Sequence, residues 1–357
     1  MTAESEKSSF EEWGEFQESS VADTPCKADG VSEDYKIIDP RGDLVVTVGP
    51  DGGDDGTSRK FRLCSRTLSR ASSVFDAMLY GGYKEQKREE SEDWSIRLAH
   101  DCPDTFDLFA QITHGSMMSV PQELSLDEIY ELTELTHYYD CTDILVPWLD
   151  RWMEPFRTLH SSDRLTLRKL LWVSFEVGER RTFHSTCRRL VMECDSKPRD
   201  EDESVLASLS DMFGRLDQIR RSTIAAMLNL FDEFTQLLTV VDEKPRWCKF
   251  ASYQGPHRCE SMILGSIVFC LSRAKLFPIP RPEDIDESVL SLYRKLSTIV
   301  VHDIGQGERK GSDHSECNPR KFLIDRLQRI LADMAPPIED AHNKMLEAQM
   351  KKIGRWS

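Results

Sequence analysis

Four residues in the C-terminal third of the chain have the types and the spacing that can bind a metal ion. Cys248 and Cys259 precede one predicted helix, and His314 and Cys317 precede another. Thiol and imidazole groups beside helix N-termini have a lowered proton affinity, which favours binding to a metal. Three cysteines and one histidine form a ligand set that structural zinc sites use. The sequence therefore predicts a structural zinc site in which two distant pairs meet.

Two features of the sequence leave another interpretation of these residues open. The spacing between Cys248 and Cys259 is wider than the usual spacing of about two to four residues in zinc motifs, and His257 is a competing ligand. All of these residues can instead be ordinary buried or capping side chains.

Enzymatic chemistry has little support in the sequence. There is no Gly-x-Ser-x-Gly, His-Glu-x-x-His or dinucleotide-binding motif, each of which would place a nucleophile, a metal or a phosphate in a known setting. A zinc-dependent enzyme is the weaker hypothesis for the metal site, because four protein ligands leave no open position for a substrate. We therefore expect that the chain is not an enzyme.

Charge and composition favour a protein partner inside the cell. The net charge is −16, with 62 acidic and 46 basic residues, which argues against binding to nucleic acid or to anionic membranes. The ten cysteines are scattered, a pattern typical of reduced thiols. The acidic N-terminus does not resemble a secretory signal. We expect an intracellular protein, located in the cytoplasm, the nucleus or both.

The elements that would position these residues follow from changes of hydrophobic period along the chain. The period changes from two residues to a helical repeat, returns to two residues, and is helical beyond about residue 100. We predict an α+β fold in which a small, mainly antiparallel sheet with helices is followed by a mostly α-helical C-terminal region. The expected divisions are a disordered acidic tail (1–38), an α+β domain (39–153), a helical extension (154–240) and a helical C-terminal domain (241–357).

The acidic tail contains three aromatic residues at a spacing of three. Phe10, Trp13 and Phe16 would share one face of a short helix formed on binding. That arrangement suits docking into a groove on another protein. The alternative is that the three aromatics are an incidental feature of a tail.

The α+β segment resembles the BTB/POZ fold, and in particular the BTB-domain proteins of filamentous fungi. The resemblance covers residues 40–152. The segments that match the family are Gly42-Asp43-Leu44, the block from Phe61 to Leu79, Ile96-x-Leu98, Asp101 to Phe106, Val120-Pro121, Leu124 to Glu128, Tyr138 to Cys141, and Pro147-Trp148.

The resemblance implies a function in protein–protein interaction. BTB domains associate with themselves, here as a homodimer, and recruit partners, often a cullin ubiquitin-ligase scaffold. Tyr83-Lys84-Glu85 resembles the hydrophobic-x-Glu element of cullin-binding members. The helices that follow resemble in position the extension that enlarges the cullin contact. We also expect Leu44 and Val46 to lie on an exposed strand edge that another chain can pair with.

Two interpretations of the function remain from the sequence. The first is a scaffold that acts as a substrate adaptor of a cullin ubiquitin ligase. The alternative is a nuclear transcriptional regulator or co-repressor-type scaffold, with Phe10, Trp13 and Phe16 as a docking peptide.

Overall fold

A computed structural model gives the fold of the chain. It describes residues 35–50, 58–87, 94–161, 163–195, 209–240, 245–248, 257–302 and 314–355. The predicted tail peptide of Phe10, Trp13 and Phe16 lies outside the described residues. Tyr35–Ser357 make one compact unit. The described part is α+β and mostly helical, which confirms the predicted class.

The sheet has four strands in the spatial order β1-β3-β2-β4. The strands are β1 (Tyr35–Ile37), β2 (Leu44–Val48), β3 (Arg59–Leu63) and β4 (Ser95–Leu98). β2 pairs with β3 in antiparallel orientation, whereas β1 pairs with β3 and β4 pairs with β2 in parallel orientation. The prediction of a mainly antiparallel sheet was therefore wrong, because the sheet is mixed and only one of its three pairings is antiparallel.

The connection from β2 to β4, which passes through β3, allows the parallel pairing of β2 and β4. Two helices, α1 (Ser65–Ala71) and α2 (Ser73–Tyr80), lie between these strands in the sequence. Parallel neighbours require such a crossover, whereas a tight turn gives antiparallel neighbours. β4 thereby pairs with the side of β2 that the sequence analysis predicted to be an exposed edge. The first strand, β1, includes Tyr35–Ile37, which the sequence placed in the tail.

Gly42 and Asp43 bring β2 into place against β3 and α1. A Cβ atom on Gly42 would lie 2.5 Å from the carbonyl oxygen of Leu63, so this position requires glycine. The Asp43 carboxylate accepts hydrogen bonds from the backbone N–H of Ser65 (2.8 Å) and from its hydroxyl (2.7 Å). The carboxylate therefore joins the start of β2 to the start of α1.

Ser72 separates α1 from α2, although the spacing of apolar residues in this stretch is typical of one helix. Its backbone is extended, and its hydroxyl accepts a hydrogen bond from the backbone N–H of Phe75, which caps α2. The same hydroxyl donates to the carbonyl of Tyr139. The break in the helix thus lets one serine cap α2 and bind a distant part of the module.

Three further helices complete the N-terminal module, which we define as residues 35–157. They are α3 (Pro103–Thr113), α4 (Leu126–Tyr138) and α5 (Val146–Arg157). Ser125 and Glu128 form a capping box at the start of α4. The aromatic core includes Phe75, whose ring stacks on Tyr139 at 4.3 Å between centroids and on Phe109 at 6.0 Å.

Beyond the N-terminal module, the described residues form seven more helices. They are α6 (Arg164–Glu176), α7 (Arg180–Met192), α8 (Ser210–Thr239), α9 (Arg258–Arg273), α10 (Val289–Ser297), α11 (Arg320–Ala332) and α12 (Asp340–Lys352). Within the described residues of the whole chain, no helix is both long and apolar enough to cross a membrane.

The described residues bury two hydrophobic clusters, and α8 contributes to both. The first cluster contains the N-terminal module, α6, α7 and the beginning of α8, up to Ile219. The second begins at Ile224 and includes side chains of α9, α10 and α11. The last helix, α12, returns to the first cluster, where Leu346 is fully buried. We call the second hydrophobic cluster, together with the described segments that contribute to it, the C-terminal cluster.

Candidate metal centre and contact groove

The four predicted metal ligands meet inside the C-terminal cluster. Cys248 is the last residue of the described segment 245–248, and Cys259 lies in the first turn of α9. His314 and Cys317 begin and end a single 3-10 turn that precedes α11. All four side chains are buried, and their ligand atoms lie within 4.8 Å of one another. The sequence prediction that two distant pairs converge is confirmed, and the cluster can hold a metal ion such as zinc.

The distances within this cluster fit a tetrahedral centre. A Zn–S bond of about 2.3 Å places two sulfurs of a tetrahedron about 3.8 Å apart, and a sulfur and a nitrogen about 3.6 Å apart. The Sγ atoms of Cys248 and Cys317 are separated by 3.9 Å. Nδ1 of His314 lies 3.4 Å from Sγ of Cys248 and 3.8 Å from Sγ of Cys317. A single ion can therefore reach these atoms without a large rearrangement.

The electrostatics of the cluster favour a cation. Burial and the neighbouring thiols of Cys248 and Cys317 raise the pKa of Cys259 far above its ordinary value, which is the opposite of the lowered proton affinity expected from its place at a helix N-terminus. Adjacent thiolates repel one another in a water-poor site, so the Cys259 thiol holds its proton. A bound divalent ion reverses this preference because it stabilises deprotonated sulfur ligands.

Other buried cysteines provide a contrast within the same chain. Burial raises the pKa of Cys141 and of Cys187 to about 12, and neither belongs to the group of possible metal ligands. They act as small apolar residues in the first hydrophobic cluster. Convergence, and not burial alone, sets the four ligands apart.

The residues around the cluster hold the ligand segments together. The Glu260 side chain accepts hydrogen bonds from the backbone N–H groups of Trp247 and Cys248. The Trp247 indole donates to the carbonyl of Cys317 at 2.6 Å. His257, the competing ligand in the sequence, lies near Glu260, with Nδ1 3.6 Å from its carboxylate, and is not part of the four-residue cluster.

A second candidate site is an apolar groove on the N-terminal module, which we call the α2 groove. It has a volume of about 370 Å³. Residues of α2 form one wall and the segment after this helix forms the other. Its lining residues are Ser73, Val74, Ala77, Met78, Tyr83 and Glu85.

Trp94 holds the segment that forms the second wall. The indole of Trp94 donates a hydrogen bond of 2.7 Å to the carbonyl of Glu85. The ring of Trp94 also packs edge-on against Tyr80. Tyr83 is 63% exposed. The predicted contact residues Tyr83 and Glu85 therefore lie on one wall of an open apolar surface.

The predicted strand edge is absent from this surface. Leu44 and Val46 are fully buried in β2, which lies between β3 and β4. The prediction that these two residues pair with another chain was wrong, because a later strand covers β2. Within the described residues, the edges of the sheet are β1 and β4.

Sequence reasoning missed three residues that shape these sites. Glu260 gave no signal beyond its position beside Cys259, because its hydrogen-bond partners are backbone groups 12 and 13 residues earlier. The sequence pattern predicts Val74 and Met78 as core positions of a helix. Both are only partly buried, however, and line the α2 groove. Their i, i+4 spacing could have indicated a shared face.

Comparison with known protein families and with curated proteins gave no match to this chain.

Proposed function

We propose that this chain is a protein-interaction scaffold of the BTB type and that it binds its partner through the α2 groove. The supporting observation is the groove itself, an open apolar surface lined by Val74, Ala77, Met78 and Tyr83. Exposed apolar surface of this kind marks contact sites on proteins, and an accessible tyrosine is a frequent anchor residue.

The local structure of the N-terminal module supports the assignment to the BTB type. Gly42 and Asp43, which belong to the matched segments, have defined structural roles at the junction of β2, β3 and α1. The capping box of Ser125 and Glu128 falls within another matched segment. Residues that carry the resemblance therefore have structural roles in the N-terminal module, and this supports the proposal.

The specific form of the proposal is a substrate adaptor of a cullin ubiquitin ligase. The hydrophobic-x-Glu element of cullin-binding relatives corresponds to Tyr83-Lys84-Glu85. In this chain, the first and last of these residues line the α2 groove next to Met78. An apolar side chain of the cullin would enter the groove between Met78 and Tyr83.

A binding assay with the full chain tests the adaptor role. The chain is immobilised, and the N-terminal region of a cullin is titrated against it by biolayer interferometry. We expect Tyr83→Ala to weaken binding by about tenfold or more, because an anchor residue contributes at least about 1.4 kcal/mol. Met78→Glu should weaken binding further, since it places a charge in the groove.

The matched control for this assay is Met118→Ala, which changes a fully exposed methionine outside the α2 groove. This variant should bind like the wild-type chain. Wild-type affinity in both groove variants would contradict the assigned contact surface. A wild-type chain that does not bind any cullin would contradict the adaptor role.

We propose in addition that the cluster of Cys248, Cys259, His314 and Cys317 is a structural zinc centre. Four protein ligands would fill a tetrahedral site and leave no position for a substrate, and structural zinc sites are closed in this way. The distances between the ligand atoms support this interpretation. Zinc would join the segment before α9 to the segment before α11.

Metal analysis of the purified chain tests the zinc centre. We expect about one zinc per chain in protein prepared without chelators, as one closed site requires. Cys317→Ser should lose the metal. Cys102→Ser, which replaces an exposed cysteine, should retain it. Equal metal content in these two variants would contradict the assignment.

A further inference from the structure

Within the described residues 245–248, Cys248 belongs to no helix or strand. By contrast, Cys259 is held by α9, and His314 and Cys317 are held by one 3-10 turn. Cys248 is therefore the ligand whose position depends most on contacts with other residues.

Glu260 supplies the backbone contacts that position this segment. One oxygen of its carboxylate, Oε1, accepts the N–H of Cys248 at 3.2 Å and also the N–H of Trp247. Glu260 is itself 2% exposed and follows Cys259 directly in the first turn of α9. A single side chain on the helix of one ligand thus binds the backbone of another ligand.

The second oxygen of Glu260 faces the outside of the centre. Oε2 lies 3.6 Å from Nδ1 of His257, which precedes the first residue of α9. Only Oε1 is used for the ligand segment. A glutamine at this position could therefore present its carbonyl oxygen to both N–H groups and its amide group to His257.

We infer that Glu260 is the positioning residue of the metal centre and sets its affinity by holding Cys248 at bonding distance. This inference rests on the proposed zinc centre. Outer residues that orient metal ligands change metal affinity by about ten- to hundredfold when they are replaced. Glu260 acts through the backbone of Cys248, so its reach and its acceptor oxygen matter more than its charge.

Three substitutions separate the effect of side-chain length at position 260 from the effect of its charge. Glu260→Gln keeps the length and one acceptor oxygen but removes the charge. Glu260→Asp keeps the charge but shortens the side chain by one methylene group. Glu260→Ala removes both. Glu316→Ala is the matched control, because Glu316 is an exposed carboxylate next to Cys317, and its loss changes charge near the centre without removing these hydrogen bonds.

The experiment uses the full chain, stripped of metal under reducing conditions and titrated with Co²⁺ and with Zn²⁺ in competition with a chromophoric chelator. We expect Glu260→Gln and Glu316→Ala to bind like the wild type. Glu260→Asp and Glu260→Ala should bind about ten- to hundredfold more weakly. In Glu260→Ala, the thiolate-to-cobalt charge-transfer absorption should fall from that of three thiolates to that of two.

The outcomes distinguish this inference from the zinc centre itself. Wild-type affinity and a three-thiolate spectrum in Glu260→Ala and Glu260→Asp would overturn the inference and leave the zinc centre intact. Weak binding by Glu260→Gln with normal binding by Glu260→Asp would overturn it too, because charge would then be the cause. A wild-type chain without Co²⁺ or Zn²⁺ binding would overturn both. If Glu260→Ala does not fold, the Asp and Gln variants carry the test.

Discussion

The two hydrophobic clusters of the chain are held together by different means. In the N-terminal module, the strands pair with one another, and serine side chains cap the helices that cover them. In the C-terminal cluster, two short segments that contain Cys248 and His314 enter the interior beside the helices. Buried backbone that lacks a regular partner needs a specific substitute. The Glu260 carboxylate and the Trp247 indole fill that role here, and the proposed metal centre would hold the four ligand side chains together.

The largest effect should come from removing an aromatic ring from the module. Phe75 is fully buried between Phe109 and Tyr139. Phe75→Ala should lower the free energy of unfolding by about 3–5 kcal/mol. Chemical denaturation with zinc present and after chelation should give the same loss, since the core of the module does not depend on the metal. Phe269→Ala, at a largely exposed ring, is the control. A loss that depends on zinc would remove the contrast between the regions.

A buried arginine provides the next largest effect, and it acts on the C-terminal cluster. Arg220 is 3% exposed and donates from one nitrogen to the carbonyls of Ile285 (3.1 Å) and Glu287 (2.8 Å), just before α10. Arg220→Met should cost about 2–3 kcal/mol, because these hydrogen bonds involve a charged group. Hydrogen exchange of α10 reports the change. Arg221→Met, at the exposed neighbouring position, should leave it unaltered, and equal effects would contradict this role.

The capping box gives a smaller effect, confined to the module. The Ser125 hydroxyl accepts the N–H of Glu128 at 3.2 Å, and the Glu128 carboxylate accepts the N–H of Ser125 at 2.7 Å. Ser125→Ala should cost about 1 kcal/mol. Thermal unfolding of the module measures it, with Ser119→Ala at an exposed serine as the control. A larger loss in the C-terminal cluster than in the module would contradict a local role.

The smallest effect depends on pH. A hydrogen bond that the His137 imidazole donates to the Glu176 carboxylate raises the pKa of His137, against the opposing effect of burial. Because the pKa in the folded state is raised, its stabilising contribution is complete below about pH 6.5, the pKa in the unfolded chain, and is lost as the pH rises through the higher folded value. His137→Gln should therefore destabilise the chain more at about pH 6 than at about pH 8, by roughly 0.5 kcal/mol, because the histidine of this pair is partly exposed. Identical differences in melting temperature at the two pH values would exclude this linkage.

Local features of both regions could be predicted from the sequence. The capping box follows from Ser125 and Glu128 at the right spacing before an apolar stripe. The candidate metal ligands follow from residue types, because three cysteines and one histidine form a ligand set that structural zinc sites use. Such features depend on neighbouring residues and on side-chain chemistry.

Features that depend on distant partners could not be predicted. Leu44 and Val46 alternate as expected for a strand, but alternation does not reveal which strand lies beside it. A parallel partner arrives only after two helices, so β2 became a central strand. Glu260 was missed for the same reason, because it binds backbone N–H groups, which leave no pattern in the sequence.

Hydrogen–deuterium exchange of the full chain, before and after zinc removal by a chelator, tests the central claim most directly. If zinc holds the C-terminal cluster together, its removal should increase exchange at residues 245–248 and in the first turns of α9 and α11. Exchange in α3 and α4 should stay the same, because strand pairing, caps and aromatic packing hold the module. Unchanged exchange throughout the chain, or an equal increase in α3 and α4, would contradict the account.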